Sequence, residues 1–142
     1  MSYNGAAALN MPLVADRVAL RASGLYSHDG GYIDNPLLAS DDVNRSDVYG
    51  GRVDLLLTPT EELSVRFGGY VQDIDRDGKA TADHTFAGEA EAGSLEHRRP
   101  LREPFEQHFR LVSGTINYEF TDATLTSISS YQTSYLHPAA FI

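Results

Sequence analysis

Residues 48–72, VYGGRVDLLLTPTEELSVRFGGYVQ, decide the fold of this chain. Apolar side chains recur at every second position on both sides of a short polar segment, 59–62. Such alternation is typical of β-strands that present one apolar face. The segment between them contains Pro and Thr, as tight turns often do. The stretch therefore predicts two antiparallel strands whose apolar faces carry Val53, Leu55, Leu57, Leu63, Val65 and Phe67.

The same alternation extends in both directions and predicts six strands in all, at 2–13, 17–27, 48–58, 63–72, 105–120 and 123–133. Three connections are tight turns, 14–16, 59–62 and 121–122, and two are long and polar, 28–47 and 73–104. Short and long connections alternate, so an antiparallel meander has all turns at one end and both loops at the other. Bacterial outer-membrane barrels sort their connections in this way. The sequence predicts an all-β antiparallel meander of about six strands, part of a transmembrane β-barrel.

Hydropathy agrees with a barrel and excludes a membrane helix. Mean hydropathy is −0.30, and no stretch approaches the roughly 18 apolar residues that a membrane helix needs. A barrel strand needs only about 9–11 residues, of which every second one faces lipid. Cysteine is absent, so no disulfide framework is expected.

Charge is negative and unevenly distributed. The net charge is −9, which argues against nucleic acid as a partner. Thirteen of the twenty acidic residues lie in the two long connections. The polar sides of the strands carry isolated charges among Ser, Gly and Ala, a composition that suits a crowded, water-filled lumen. The predicted lumen-lining residues are Arg21, Arg52, Asp54, Arg66 and Gln72.

Several stretches, taken in order along nearly the whole chain, resemble the TonB-dependent outer-membrane receptors, particularly those of sphingomonad-type bacteria. Those stretches are LNMPL (9–13), RVALRASGLY (17–26), DGGYIDN (29–35), DVN (42–44), YGGR (49–52), QDID (72–75), LVSGTINY (111–118) and LTSISSY (125–131). The resemblance implies a 22-stranded barrel occluded by a plug domain. The chain, 1–142, would cover about strands 2 to 7 and lack the plug and the remaining strands.

The resemblance also implies a function. Such receptors are active transporters of the bacterial outer membrane that take up a scarce nutrient, a metal chelate such as a siderophore complex or a glycan, with TonB-supplied energy. The expected partners are outer-membrane lipid, the small nutrient and, through regions missing here, the TonB complex. No enzymatic role is expected, because no nucleophile elbow or phosphate-binding glycine loop occurs in the sequence.

One segment resembles a metal site in part. Asp73, Asp75 and Asp77, followed by Gly78, match the start of a calcium loop. The twelfth position, where a glutamate is required, is His84, so the full pattern fails. A calcium site of another design and an acidic, solvated loop are both left open. The five histidines have no zinc-ligand spacing, and no other cofactor is expected.

A soluble β-sandwich, such as a carbohydrate-binding module, is the alternative. Alternation alone does not distinguish the two, because the same apolar face would form a sandwich core in water. The sandwich predicts that a second sheet covers the face around Val53 and Phe67.

Overall fold

The chain forms one antiparallel β-sheet with two long loops at one end. The computed structural model describes residues 1–91 and 93–138. Its strands are β1 (Tyr3–Val14), β2 (Val18–Asp29), β3 (Ser46–Leu57), β4 (Leu63–Arg76), β5 (Phe105–Glu119) and β6 (Thr124–Pro138), and a 3₁₀ helix spans Pro36–Leu38.

Each strand pairs with its neighbours in sequence, in the order β1-β2-β3-β4-β5-β6, and all five pairings are antiparallel. This confirms the predicted six-stranded meander. The sheet is open in the described part of the chain, since β1 pairs only with β2 and β6 only with β5. The 22-stranded barrel remains a prediction.

Four strands extend further toward the loops than the sequence predicted. Strand β4 continues to Arg76 instead of ending at Gln72, and β3 begins at Ser46 instead of Val48. Strand β2 likewise reaches Asp29, and β6 reaches Pro138. The apolar alternation stops where the side chains become polar, but the hydrogen bonds between neighbouring strands do not depend on those side chains and continue past that point.

The strand register sorts the side chains onto two faces. Side chains directly opposite each other in a sheet share a face. Arg21 lies opposite Asn10 and Asp54, so all three side chains lie on the same face. We call the other side the apolar face; its members include Leu9, Leu20, Val53, Leu55, Val65, Phe67, Val71, Val112, Ile116, Leu125 and Tyr131. The polar face carries Arg21, Ser23, Arg52, Asp54, Arg66, Gln72, Ser113, Thr115, Asn117, Ser130 and Gln132, mixed with fewer apolar residues such as Leu25, Leu56 and Leu111.

The register also decides how β6 faces, which its Ser- and Thr-rich sequence left ambiguous. Leu125 lies opposite Tyr118, and Tyr131 lies opposite Val112. Both therefore belong to the apolar face.

No second layer of the described residues covers the apolar face. Val53 and Phe67 are 49% and 53% exposed, and Leu55 and Val65 are only half-buried. Among the described residues, Ile33 is the one buried hydrophobic side chain, and it lies in a loop. The covering sheet that the sandwich alternative predicted is therefore not found in the described chain. No helix within the described ranges has the length and apolar character needed to cross a membrane.

Candidate functional site

Three of the predicted lumen residues form one ion-pair cluster on the polar face. Asp54 accepts hydrogen bonds from Arg52 Nε at 2.6 Å and Arg52 Nη2 at 3.1 Å. Arg66, on the neighbouring strand, places Nη2 3.0 Å from Asp54 Oδ1. The carboxylate is 8% exposed, whereas the side chains of Arg52 and Arg66 are 54% and 52% exposed. The two arginines thus shield the carboxylate from solvent while remaining accessible themselves.

Gly68 provides the space for this cluster. It lies opposite Asp54 on one side and Ser113 on the other. A Cβ at position 68 would lie 2.9 Å from Ser113 Oγ and 3.2 Å from Asp54 Oδ1. The glycine therefore serves close approach of side chains from β3 and β5, rather than a turn.

Arg21 borders the same cluster, whereas Gln72 lies apart from it. Arg21 is opposite Asp54 in the register, and its Nη1 donates to Asn10 Oδ1 at 3.0 Å. Gln72 shares the polar face but is opposite Gly50 and Phe109. It is six residues beyond Arg66, roughly 20 Å along the strand. The structure thus brings four of the five predicted lumen residues together.

The two long connections pack against each other. We call residues 30–45 loop A and residues 77–104 loop B. The amide of Asp34 donates to Leu95 O at 3.0 Å, and the amide of His97 donates to Asp34 O at 3.0 Å. Asn35 Nδ2 adds a hydrogen bond to Arg99 O at 2.9 Å. These contacts join the loops into one unit, which the sequence did not predict.

Loop A is organised around the side chain of Asn44. Its Oδ1 accepts hydrogen bonds from the backbone amides of Tyr32 at 2.8 Å and Ile33 at 2.7 Å. Asn44 is 4% exposed and Ile33 is 2% exposed. Since buried amides need partners, Asn44 holds the start of loop A against its end.

A polar pocket of about 340 Å³ lies where loop A meets loop B. Asp41, Asp42, Arg45, Asp77 and Arg102 line it together with Ala39. Ala39 and Asp42 have φ angles of 48° and 53°, a left-handed conformation that costs free energy for a residue with a Cβ. Such backbone strain clusters at ligand-binding sites. The pocket offers both donors and acceptors to a ligand arriving from the loop side.

Within loop B, the carboxylate of Asp83 joins residues distant in sequence. It accepts a hydrogen bond from the backbone amide of Arg98 at 2.9 Å and one from Arg99 Nη2 at 3.1 Å. The hydrogen bond from the Arg98 amide is the main cause that lowers the pKa of Asp83 below its usual 3.8, and the charges of Arg99 and His97 add to it.

Acidification is therefore expected to loosen loop B. The pKa of Asp83 is lower in the folded chain than in the unfolded chain. The stabilisation that Asp83 gives to loop B is therefore complete above pH 3.8 and is lost as the pH falls through the lower pKa of the folded chain. We expect the protection factor of the Arg98 amide, measured by hydrogen exchange, to fall over that acid range. In Asp83→Asn the fall should disappear, and an unchanged protection factor in the parent chain would contradict the prediction.

The residues of the partial calcium motif are spread over strand and loop. Asp73 and Asp75 lie in β4, and Asp77 follows it. Asp73 is already paired with Arg110 at 2.7 Å and with His108 at 2.7 Å. Among the residues that the structure describes, no group of three or more His, Asp or Glu side chains is arranged to hold a metal ion.

Polar and aromatic side chains border the apolar face at both ends. Toward the loops, the rings of Tyr3, Tyr26 and Tyr49 pack at centroid distances of 5.8 and 4.9 Å, and Tyr26 Oη donates to Asp47 at 2.7 Å. Toward the turns, Tyr118 and Phe120 pack at 4.6 Å. Barrels place aromatic residues at both membrane interfaces.

Sequence reasoning missed two kinds of residue at these sites. Asn10 could be recognised as a polar-face residue from its alternation with Leu9 and Met11, but the register shift between Pro12 and Val14 decides that it pairs with Arg21. Asn44 and the loop pocket had no such signal, since loop contacts follow no period.

Comparison of the chain with family models, with curated proteins and with solved structures finds no significant match.

Proposed function

We propose that the chain is part of a TonB-dependent receptor of the bacterial outer membrane, an active transporter that takes up a scarce nutrient. In this assignment the apolar face contacts lipid and the polar face borders a water-filled lumen. The uncovered apolar face carries the proposal, because monomeric soluble proteins rarely expose large contiguous apolar patches.

The height of the apolar face supports this orientation. On β4 the face runs from Leu63 to Val71, which is roughly 27 Å along the strand and about 21 Å at a tilt of about 40°. Outer-membrane barrels have an apolar band roughly 25 Å tall with aromatic residues above and below it. The tyrosines near the loops and Tyr118 with Phe120 near the turns occupy the corresponding positions.

The loops supply the capture function. Loops A and B leave the same end of the sheet, pack together and enclose the polar pocket between Asp42 and Arg102. A rigid pair of loops loses little conformational entropy when it binds a ligand. Its mixed charges suit a polar nutrient, either a metal chelate such as a siderophore complex or a glycan. Energy for uptake would come from the TonB complex through regions outside this chain.

Refolding with and without an amphiphile tests the proposal. The chain, diluted from urea, should show a β-sheet circular dichroism spectrum and resistance to added protease only with detergent micelles or short-chain phosphatidylcholine vesicles. In buffer alone it should aggregate, because its apolar face and two strand edges are uncovered. A monomeric, protease-resistant sheet in plain buffer would overturn the assignment.

A further inference from the structure

We propose that Arg21 and Arg66, on the polar face near the tight turns, form a binding site for carboxylate groups. Its place in a transport lumen rests on the proposed function, but the binding chemistry depends only on the geometry of the sheet.

Positive charge is in excess around Asp54 on the polar face. Arg52 and Arg66 both pair with one carboxylate, Asp54, and Arg21 lies opposite Asp54 in the register. Elsewhere on the polar face of the described strands, carboxylates occur only at Asp29 and Glu119, the last residues of β2 and β5. Asp54 is therefore the one acid that these arginines share within the strands.

Asp54 accepts hydrogen bonds unequally from the neighbouring arginines. Arg52 donates to both carboxylate oxygens, at 2.6 and 3.1 Å. This bidentate pairing is the strongest of the contacts to Asp54. Among the described residues, the Arg66 guanidinium pairs only with Asp54 Oδ1, and the Arg21 guanidinium hydrogen-bonds only to the neutral Asn10. Each guanidinium has five N–H donors. Arg66 Nη1 and Arg21 Nη2 make no hydrogen bond within the described residues, so both arginines have charge and donors to offer a ligand.

A groove of suitable shape lies beside Arg21 and Arg66. It has a volume of about 460 Å³ and is lined by Arg21, Arg66 and the paired Asp54, together with Asn10, Pro12, Ala19 and Leu56. Arg21 lies on β2 and Arg66 on β4, with β3 between them and a register offset of two residues, so their Cα atoms are about 12 Å apart. Two long side chains at that spacing can grip the carboxylates of a small di- or tricarboxylate from both sides, while the aliphatic wall contacts its carbon chain.

Titration of the chain in detergent micelles with citrate tests the site, with binding followed by the NMR signals of the arginine Nε–H groups. We expect saturable binding that weakens about tenfold or more in Arg66→Gln and in Arg21→Gln, because each loses a charge-assisted pairing. Arg21→Gln is the safer variant, since Arg21 supports no ion pair within the described residues. Circular dichroism checks that each variant keeps its sheet.

The matched control is Arg76→Gln, which removes the same charge from the same face. Arg76 lies ten residues beyond Arg66 on β4, about 34 Å along the strand. The Arg76→Gln substitution should leave citrate affinity unchanged. If citrate binding weakened equally in Arg76→Gln and Arg66→Gln, the attraction would come from positive charge in general, and the proposed site would be overturned. An absence of citrate binding in the parent chain would also overturn it.

An acidic peptide probe identifies the source of the carboxylate. If hexaglutamate binds more weakly than citrate, the ligand class is a small solute; if it binds more tightly, the class is an acidic polypeptide segment. The proposal is supported only where binding of the preferred probe is lost in Arg66→Gln. Insertion of the chain into vesicles is measured separately from citrate binding. If the chain inserts but does not bind citrate, only this site is contradicted. If the chain does not insert, the receptor assignment is contradicted.

Discussion

Val112→Arg is expected to prevent the chain from folding into micelles or vesicles. Val112 is the middle residue of β5, lies on the apolar face and is 58% exposed. If that face contacts acyl chains, the substituted guanidinium lies within the hydrocarbon layer, where an arginine costs up to about 2–4 kcal/mol. The fraction of chain that becomes protease-resistant on addition of lipid measures the effect, and we expect it to fall at least tenfold.

Leu111→Arg is the matched control for that experiment. It exchanges an aliphatic residue for the same arginine one position earlier on β5, but on the polar face opposite Tyr70 and Gln132. There the guanidinium meets a phenol, an amide and water, and we expect folding to continue. Equal tolerance of arginine at both positions would show that neither face contacts lipid, whereas equal failure at both would point to a packed core on each side.

Asn44→Ala is expected to disorder loop A while the sheet remains folded. The substitution leaves the amides of Tyr32 and Ile33 without their acceptor, and each buried, unsatisfied donor costs about 1–3 kcal/mol. Hydrogen exchange should show the protection factors of both amides falling by about one to two powers of ten, with the amides of β3 unaffected.

Two further substitutions separate this effect from a general loss of asparagine. Asn44→Asp keeps the oxygen acceptor and should restore most of the protection. Asn4→Ala removes an exposed side chain on β1 and should change nothing in loop A. If the Tyr32 and Ile33 amides kept their hydrogen-exchange protection in Asn44→Ala, the contacts of loop B with loop A through Asp34 and His97 would be sufficient to hold loop A.

Most of the fold was predictable because strand signals are local. The alternation at Val53, Leu55 and Leu57 needs no knowledge of distant residues, and the tight turns determine which strands pair. The loop-side ends of β3 and β4 were predicted too short, because strand pairing continues where Asp73 and Asp75 replace the apolar side chains. The candidate site was predictable to a lesser degree. Arg52, Asp54 and Arg66 were recognised as polar-face residues, but their shared contact required the register.

The sequence by itself determined the six strands, their order and the two faces of every strand except β6, because each depends on residues two positions apart or on one short turn. The tertiary structure alone decided that Gln72 stands apart from the arginine cluster, that Gly68 makes room for Asp54, and that loops A and B form one unit. Those contacts join residues up to 64 positions apart, such as Asn35 and Arg99. Their geometry depends on register and backbone path, which no local pattern encodes.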